Sequence, residues 1–473
     1  MPKKNLILLI LTLLFFFFSL PSKKLHYKEL SQLQQKNSKE VVLKEIKNPL
    51  NLKTALALLE KQNLSIKIAL KRIEEANAKA LQARSFLFPS VGTQAFFLRA
   101  DKPSLYLFNA IDSADLPQGV NFNSPGVFSA YGAELKASYT LWNWQKDYLS
   151  YQAAKEAEKA SRYTFKRNLV LLKAALFKAF LDYQAAKKLL RAHTVAKKAV
   201  ETELKSVSLK VQRGAALQSE ELSLKARVGA SEEAIIQDKI ALERILTSIK
   251  ILLGLPVAYP LSIDSANIKL KTPEIKLESV IKKAFNKRDD LLAAKQLKKA
   301  AELSYKRAFR EYLPTFNLET SLSASDIDGG TDINRGNWKA QLALSQPLFD
   351  GGLRYYKIKE AKVKKESAGL FLKDLKLKIQ QEVKEALLSL QEAKERLATA
   401  AASFKAAEAS FKLVKEQYKN GAATISRFLQ AQSSFVNAST SKILAELSLK
   451  KSLVKLSEAV GDLNMLFKEG EKK

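Results

Sequence analysis

The stretch "GNWKAQLALSQPLFDGG", Gly336 to Gly352, decides how the chain is read. Trp338, Ala340, Leu342, Leu344 and Leu348 alternate with Asn337, Lys339, Gln341 and Ser345. A period of two is a strand with one apolar and one polar face. Most of the surrounding chain is long, lysine-rich and alanine-rich, with the spacing of helices. The strand therefore needs a reason, and it needs company.

Three further stretches supply the company. "YGAELKASYTL" places Tyr131, Ala133, Leu135, Ala137, Tyr139 and Leu141 on one face, with Glu134, Lys136, Ser138 and Thr140 on the other. "TFNLETSLSAS" sets Phe316, Leu318, Leu322 and Ala324 against Asn317, Glu319, Ser321 and Ser323. "SVGTQAFFLRA", from Ser90, shows the pattern more weakly. Each strand is about ten residues long, the length of a tilted membrane-spanning strand. A soluble sheet with one wet face would alternate in the same way. Two features favour a barrel in lipid. All three tryptophans sit at strand ends, Trp142 and Trp144 at one exit and Trp338 at the opposite end, where membrane-interface aromatics lie. And four strands can neither bury an apolar face nor close their own edges, so several chains must share one barrel.

Between the strands run very long helices. No proline occurs between Pro125 and Pro256, or after Pro347. Leu169, Leu172, Leu176, Phe180 and Tyr183, and later Ile379, Val383, Leu387 and Leu390, form stripes at spacings of three and four. Each long helix is broken once, in "QRGAALQSEEL" (Gln212–Leu222) and in "KNGAATISRFL" (Lys419–Leu429), where a glycine follows a basic last turn: a helical hairpin tip. The two halves superpose in sequence. Gly421 follows Gly214, and Gly461 follows Gly254, by the same 207 residues (421 − 214 and 461 − 254). Upstream, Pro314 follows Pro89 by 225 (314 − 89), so the first copy carries 18 extra residues (225 − 207). They fall within Lys102–Gly126, read as a long surface loop.

Composition excludes several classes. There is no cysteine, hence no disulfide, thiolate metal site or cysteine nucleophile. The two histidines, His26 and His193, are far apart, and His193 reads as a solvated helix-surface residue. No phosphate-binding glycine loop or carboxylate–histidine cluster is visible, so no catalytic residue, cofactor or metal is expected. The net charge of +31 would suit nucleic acid, an anionic membrane or an acidic partner, but the lysines are interleaved with glutamate and alanine and not gathered in blocks. Lys3 and Lys4 precede an apolar run from Leu6 to Phe18, the pattern of a secretory signal over residues 1–22. No Ala-x-Ala site follows, leaving open the cleavage point or an uncleaved anchor.

In order, spacing and duplication these features resemble the TolC-like outer-membrane efflux proteins over roughly Leu50 to Leu466. The carriers are "PLNLKTALALLEKQNLSIKIA", "RDDLLAAKQLKKAAELSYKRAFREYLPTF", "QPLFDGGLRYYKIKEAK" and the two glycine tips. The resemblance implies a mainly α fold with a membrane β-barrel: a homotrimer with a twelve-stranded barrel in outer-membrane lipid and an α-helical barrel across the periplasm. It divides the chain into repeat 1 (23–254; strands about 90–100 and 129–141, helical hairpin 144–254) and repeat 2 (255–473; strands about 314–325 and 337–349, hairpin 353–461). Ser31–Asn51, a linker over 255–280 and the C-terminal tail would form an equatorial belt. The function implied is the exit duct of a tripartite efflux or type I secretion system. Its partners would be an inner-membrane transporter and a periplasmic adaptor, with no nucleic acid involved.

The resemblance also locates a gate. The second tip of family members often carries two carboxylates; aligned on Gly421 those positions hold Arg427 and Gln430. The first tip keeps acids at Glu220 and Glu221. Arg427 is expected to pair with Glu220 or Glu221 between neighbouring tips. Arg213, Gly214, Ala215 and Ala216, with Gly421, Ala422 and Ala423, form small-residue tips suited to adaptor docking. The alternative reading is a periplasmic coiled-coil adaptor or envelope scaffold, which would share the signal, helices and tips but not a duplicated strand-pair unit.

Overall fold

The alternation in sequence becomes a single antiparallel sheet. Its strands are β1 (Ser90–Ala100), β2 (Phe128–Trp142), β3 (Thr315–Ile327) and β4 (Asn337–Ser345), in the order β1-β2-β3-β4. This computed structural model describes residues 49–113, 116, 118–264, 270, 276–327 and 336–466. The leader at 1–22, residues 31–48 of the expected belt, much of the 255–280 linker and the tail from 467 lie outside them. Register tests the faces more sharply than any one strand could. Thr93, Leu135, Leu322 and Trp338 form one cross-strand row, and Val91, Ala137, Thr320 and Ala340 another. Gln94, Glu134, Ser323 and Asn337 share a row of the other face, as do Gly92, Lys136, Ser321 and Lys339. Apolar and polar positions thus line up across all four strands, which requires every register to be correct at once.

Two strand expectations are corrected. β4 stops at Ser345 and does not continue to 349, because Pro347 has no N–H to give the ladder; Leu348 and Phe349 leave the sheet almost fully exposed. Trp338 opens β4 but does not mark the end of the sheet, since β2 and β3 continue beyond its row to Phe128 and Ile327.

Four helices come in two matched pairs. α4 (Lys146–Gln212) and α8 (Leu353–Lys419) have 67 residues each and start 207 apart, each on the order of 100 Å long. α5 (Gln218–Leu252) and α9 (Ile425–Val460) return from the tips. Shorter helices precede the strands: α1 (Leu52–Gln62) and α2 (Leu64–Ser85) in the first repeat, α6 (Leu277–Lys287) and α7 (Asp289–Phe309) in the second. Among the described residues no helix is long and apolar enough to cross a membrane. The insert read as a loop contains a helix, α3 (Pro103–Asp112). Pro103 sits in its first turn, and Tyr106 and Ala110, four residues apart, are buried on one side, so proline here starts a helix.

The predicted stripes are the core. Leu176, Phe180 and Tyr183 pack with Leu59, Ile249 and Leu253; Ile379, Val383 and Leu390 pack with Phe177, Leu291 and Leu456. Both clusters gather where the short helices meet the ends of α5 and α9, and there the two repeats use the same joint with different residues. α5 ends in a left-handed Gly254 (φ 72°), whose N–H donates to Ile251 O while Leu255 N donates to Lys250 O. A Cβ on Gly254 would lie 2.8 Å from Gln62 O. Asn63 accepts from Ile66 N with its side-chain oxygen, and its Nδ2 donates to Leu252 O (2.7 Å). α2 is thereby tied to the end of α5, and both flank α4. In the second joint Gly461 repeats the turn, and the place of Asn63 is taken by Arg288. Arg288 is 2% exposed; it donates to Ala459 O and pairs with Asp290 and Glu382. Arg167 adds a bond to Glu458 O (2.8 Å). Burial works to raise the Asp290 carboxyl, but the hydrogen bonds and charge of Arg288, then the charge of Arg167, hold it below the usual aspartate value.

The strand-to-helix exits also differ between copies. Gly351 (φ 62°) and Gly352 (φ 87°) make the second exit; Trp144 (φ 57°) and Gln145 (φ 63°) make the first in the same left-handed region. A non-glycine residue there costs roughly 1–2 kcal/mol. Trp144 is held by its Nε1 bond to Pro314 O (3.0 Å), by Arg310 donating to its carbonyl (2.7 Å), and by an edge contact with Trp142.

Two outcomes follow. Gln145→Gly should raise the thermal midpoint, relieving roughly 1 kcal/mol, while Gly352→Gln lowers it by a similar amount. Arg288→Met should destabilise by about 3 kcal/mol, more than Asn63→Ala, because it leaves the half-buried Asp290 without that cation and Ala459 O without that donor. The folded Asp290 value lies below the unperturbed 3.8. Its contribution is therefore present above 3.8 and lost as pH falls through the folded value. Denaturation followed from pH 7 to pH 3 should show this acid loss in the native chain and a flatter profile in Arg288→Met.

Candidate functional site

The tips are built from the same turn as the joints. Gly214 (φ 70°) follows the last turn of α4, with its N–H on Val211 O and Ala215 N on Lys210 O (2.8 Å). Gly421 (φ 76°) does the same, with Ala422 N on Gln417 O (2.8 Å). Nothing lies within 4 Å of a Cβ built on either glycine, so backbone conformation alone demands glycine there. Arg213, Gly214, Ala215, Gly421 and Ala422 are exposed, whereas Ala216 and Ala423 turn partly inward. α9 begins with a side-chain cap, Thr424 Oγ1 accepting from Arg427 N; the matching Leu217 offers none to α5.

Both hairpins share one small core. Val200, Val207 and Leu224 of the first pack with Val414, Ile425 and Phe428 of the second. Tyr418 stacks on Phe428 (5.1 Å), and Phe411 on Phe435 (5.3 Å). Burial, then the charges of Glu203 and Glu220, push the Tyr418 phenol up to about 12, so it stays a neutral donor at any physiological pH. Further from the tip, the Arg227 Nε donates to Gln432 Oε1 (2.8 Å), joining α5 to α9. Gln432 is buried, and its Nε2 has no hydrogen-bond partner among the described residues. Burial pulls the Arg227 guanidinium below its ordinary value.

The expected gate residues divide. Glu220 lies near Tyr418. Glu221 accepts from Ser208 Oγ (3.0 Å) and pairs with Lys225 (2.9 Å), and these hydrogen bonds keep its carboxyl below the usual value. Arg427 and Gln430 are exposed on α9, and within one chain Arg427 reaches neither acid. Tyr418, Arg227 and Gln432 escaped the sequence reading. Tyr418 could have been found, standing three residues before a tip glycine where the first copy has Val211. His193 is also corrected: it is not merely solvated, because Nδ1 meets Asp238 Oδ2 (2.7 Å) and Nε2 meets Thr440 Oγ1 (3.3 Å), bridging α4, α5 and α9. At the strand-to-helix exits, Trp142 (51% exposed) and Trp144 are exposed in the first copy, and Phe349, Tyr355 and Tyr356, which the sequence reading missed, are exposed in the second.

The Arg227–Gln432 bond yields a test. Arg227→Met and Gln432→Leu should each loosen the tips by about 1–3 kcal/mol, by leaving one buried partner unsatisfied. The double variant should recover part of that loss, with a coupling of about 0.5–3 kcal/mol. Amide hydrogen exchange across Gly421–Gln432 reads the opening, and strict additivity would show the bond to be incidental.

Comparison with known proteins places this architecture. The profile described as "Outer membrane efflux protein" matches residues 55–255 and 280–462. Outer membrane protein OprJ of Pseudomonas aeruginosa is 24% identical over 315 residues, which is 64% of each chain, so this chain spans about two thirds of that relative's length. The crystal structure of the Campylobacter jejuni CmeC outer membrane channel superposes with a TM-score of 0.77 at 20% identity, covering 87% of this chain and 85% of that one. The open-state Neisseria gonorrhoeae MtrE outer membrane channel superposes with a TM-score of 0.73 at 20% identity, covering 87% and 89%.

Proposed function

The chain belongs to the outer membrane efflux protein family, and we propose on that footing that it is the exit duct of a tripartite export system, a trimer sharing one twelve-stranded barrel. One observation carries the reading. The apolar face of the sheet is aligned row by row and left exposed: Leu342 (66%), Leu344 (62%), Trp338 (57%) and Val91 (48%) lie on it. β1 and β4 each pair on one side only among the described residues. Open edges are not viable in lipid, so β4 of one copy meets β1 of the next until the ring closes. The polar rows with Lys136, Glu134, Lys339 and Gln341 then face a watery lumen. Most of the chain lies in the periplasm, and the tips point toward an inner-membrane transporter and its adaptor. The exposed small residues Gly214, Ala215, Gly421 and Ala422 permit close approach of an adaptor's helices.

The tips act as the gate. Within a chain, the Arg227–Gln432 bond and the shared apolar core at the tips hold the two hairpins together. Arg427, which has no ion pair among the described residues, reaches Glu220 or Glu221 of a neighbouring copy. One exposed pair contributes only ~0–1 kcal/mol, but three copies around one narrow opening bias a two-state gate.

The mass of the detergent-extracted particle, by light scattering with detergent subtracted, should correspond to three chains; a monomer soluble without detergent would overturn the duct. Arg427→Glu should raise single-channel conductance and antibiotic leak several-fold. Unchanged conductance in a trimer that conducts would remove the Arg427 pair and leave the duct standing.

A further inference from the structure

The insert helix α3 lies on the polar face of the sheet. Phe128 and Ala130 alternate in step with Glu134 and Lys136, and their partners Ala100, Leu98 and Ile327 fall on the same face. Beyond the Trp338 row, then, the lumenal face turns apolar. α3 covers that apolar end. Tyr106 packs edge-on against Phe128 (5.2 Å) and beside Phe122 (6.1 Å), with Leu105 and Val120 completing the cluster. The helix begins just past the end of β1, one edge of the sheet. It ends at Asp112, whose carbonyl accepts from Asn337 Nδ2 (2.7 Å) at the start of β4, the other edge. α3 thus crosses the inside of the sheet from edge to edge.

Its other side is apolar too. Phe108 is 63% exposed and Ile111 48%, on the turn of the helix opposite Tyr106 and Ala110. Asp112 is the single charged residue of the ten. A helix with two apolar sides and one charge is built to be covered on both. The wall covers one side. Resting on the trimeric duct proposed above, we infer that the other side is covered by α3 of the other two copies, and that the three helices close the outer mouth of the channel.

Twelve strands about 4.8 Å apart and tilted by about 40° enclose a ring roughly 24 Å across, backbone to backbone, so a helix about 10 Å wide lying against the inner wall reaches close to the axis. Each Phe108 then points toward the axis, where its only apolar neighbours are its own copies. The second repeat has no counterpart of these residues, so the ring holds three such helices and not six. The outer closure is separate from the tips, on the order of 100 Å away along α4.

The absence of native cysteine makes the test direct. Phe108→Cys, oxidised in intact outer membranes, should give a disulfide-linked dimer within the trimer, while Leu342→Cys on the lipid face gives none. Separately, Gln341→Cys reports the lumen: a bulky membrane-impermeant maleimide added outside should label it slowly. Adding Phe108→Lys and Ile111→Lys, both exposed in the single chain, should speed labelling by roughly tenfold or more, as a minor open state becomes dominant. Fast labelling with the native α3 would overturn the closure, as would absence of the Phe108→Cys dimer or its linkage to a different polypeptide. A particle that is not trimeric would instead defeat the duct itself. Because labelling enters from outside, a closed periplasmic tip does not affect the readout.

Discussion

A row of leucines with nothing among the described residues to cover them governs this molecule. The sheet presents Leu342, Leu344 and Leu135 outward, and both long-helix pairs already use their stripes on each other and on the short helices. A sheet of four strands with open edges and an uncovered apolar face is unstable in water and unusable in lipid. The constraint disappears only when copies of the chain pair edge to edge and lipid covers the outside. In the proposed ring that closure sets the other elements in place: a polar lumen inside, α4 and α8 leaving at one end, and an insert that reaches the lumen from the other.

Closure fixes the strands but does not straighten 67-residue helices. That task falls to the joints where α5 meets α2 and α9 meets α7. Each joint stacks a left-handed glycine turn against the start of another helix and ties it with one buried polar side chain. α2 and α7 so extend the returning α5 and α9, and three helices of each repeat run as two long columns. The two larger clusters sit at this level because there the short helices join the long ones, whereas the tip cluster has the long helices alone, and buried area grows with the number of neighbours.

Much of this was legible in sequence. Period-two alternation survived in β2, β3 and β4 because one face of each must be apolar and the other polar for a ring with a wet interior. The 207-residue repeat survived because Gly214, Gly254, Gly421 and Gly461 all adopt positive φ, which other residues rarely tolerate. What could not be read has physical causes as well. Trp144 and Gln145 adopt the left-handed conformation by tertiary bonds to Pro314 and Arg310, far away in sequence. α3 looked like a loop because ten residues with a proline and few charges do not make a stable helix until a sheet buries one side of them. Arg427 was set opposite Glu220 by counting from the tip glycines. Depth along a hairpin says nothing about which side of it a residue faces, so the same count could not show that within the chain Tyr418 lies near Glu220.

The two copies diverge at mechanically meaningful places. Asn63 is replaced by Arg288, the Trp144–Gln145 exit by Gly351–Gly352 and an uncapped Leu217 by Thr424, while the α3 insert belongs to the first copy alone. Each change alters how tightly one end of a hairpin is held without changing the path of the chain. The second repeat is bound by charge at its joint and capped at its tip. The first is bound by a neutral amide at its joint, uncapped at its tip, and strained at its exit from the barrel. Two hairpins of equal length and unequal restraint, placed side by side around an opening, do not move equally when pushed. The less restrained one yields first. In this chain the less restrained hairpin is that of α4 and α5, whose first turn after the tip has no side-chain cap and carries Glu220 and Glu221.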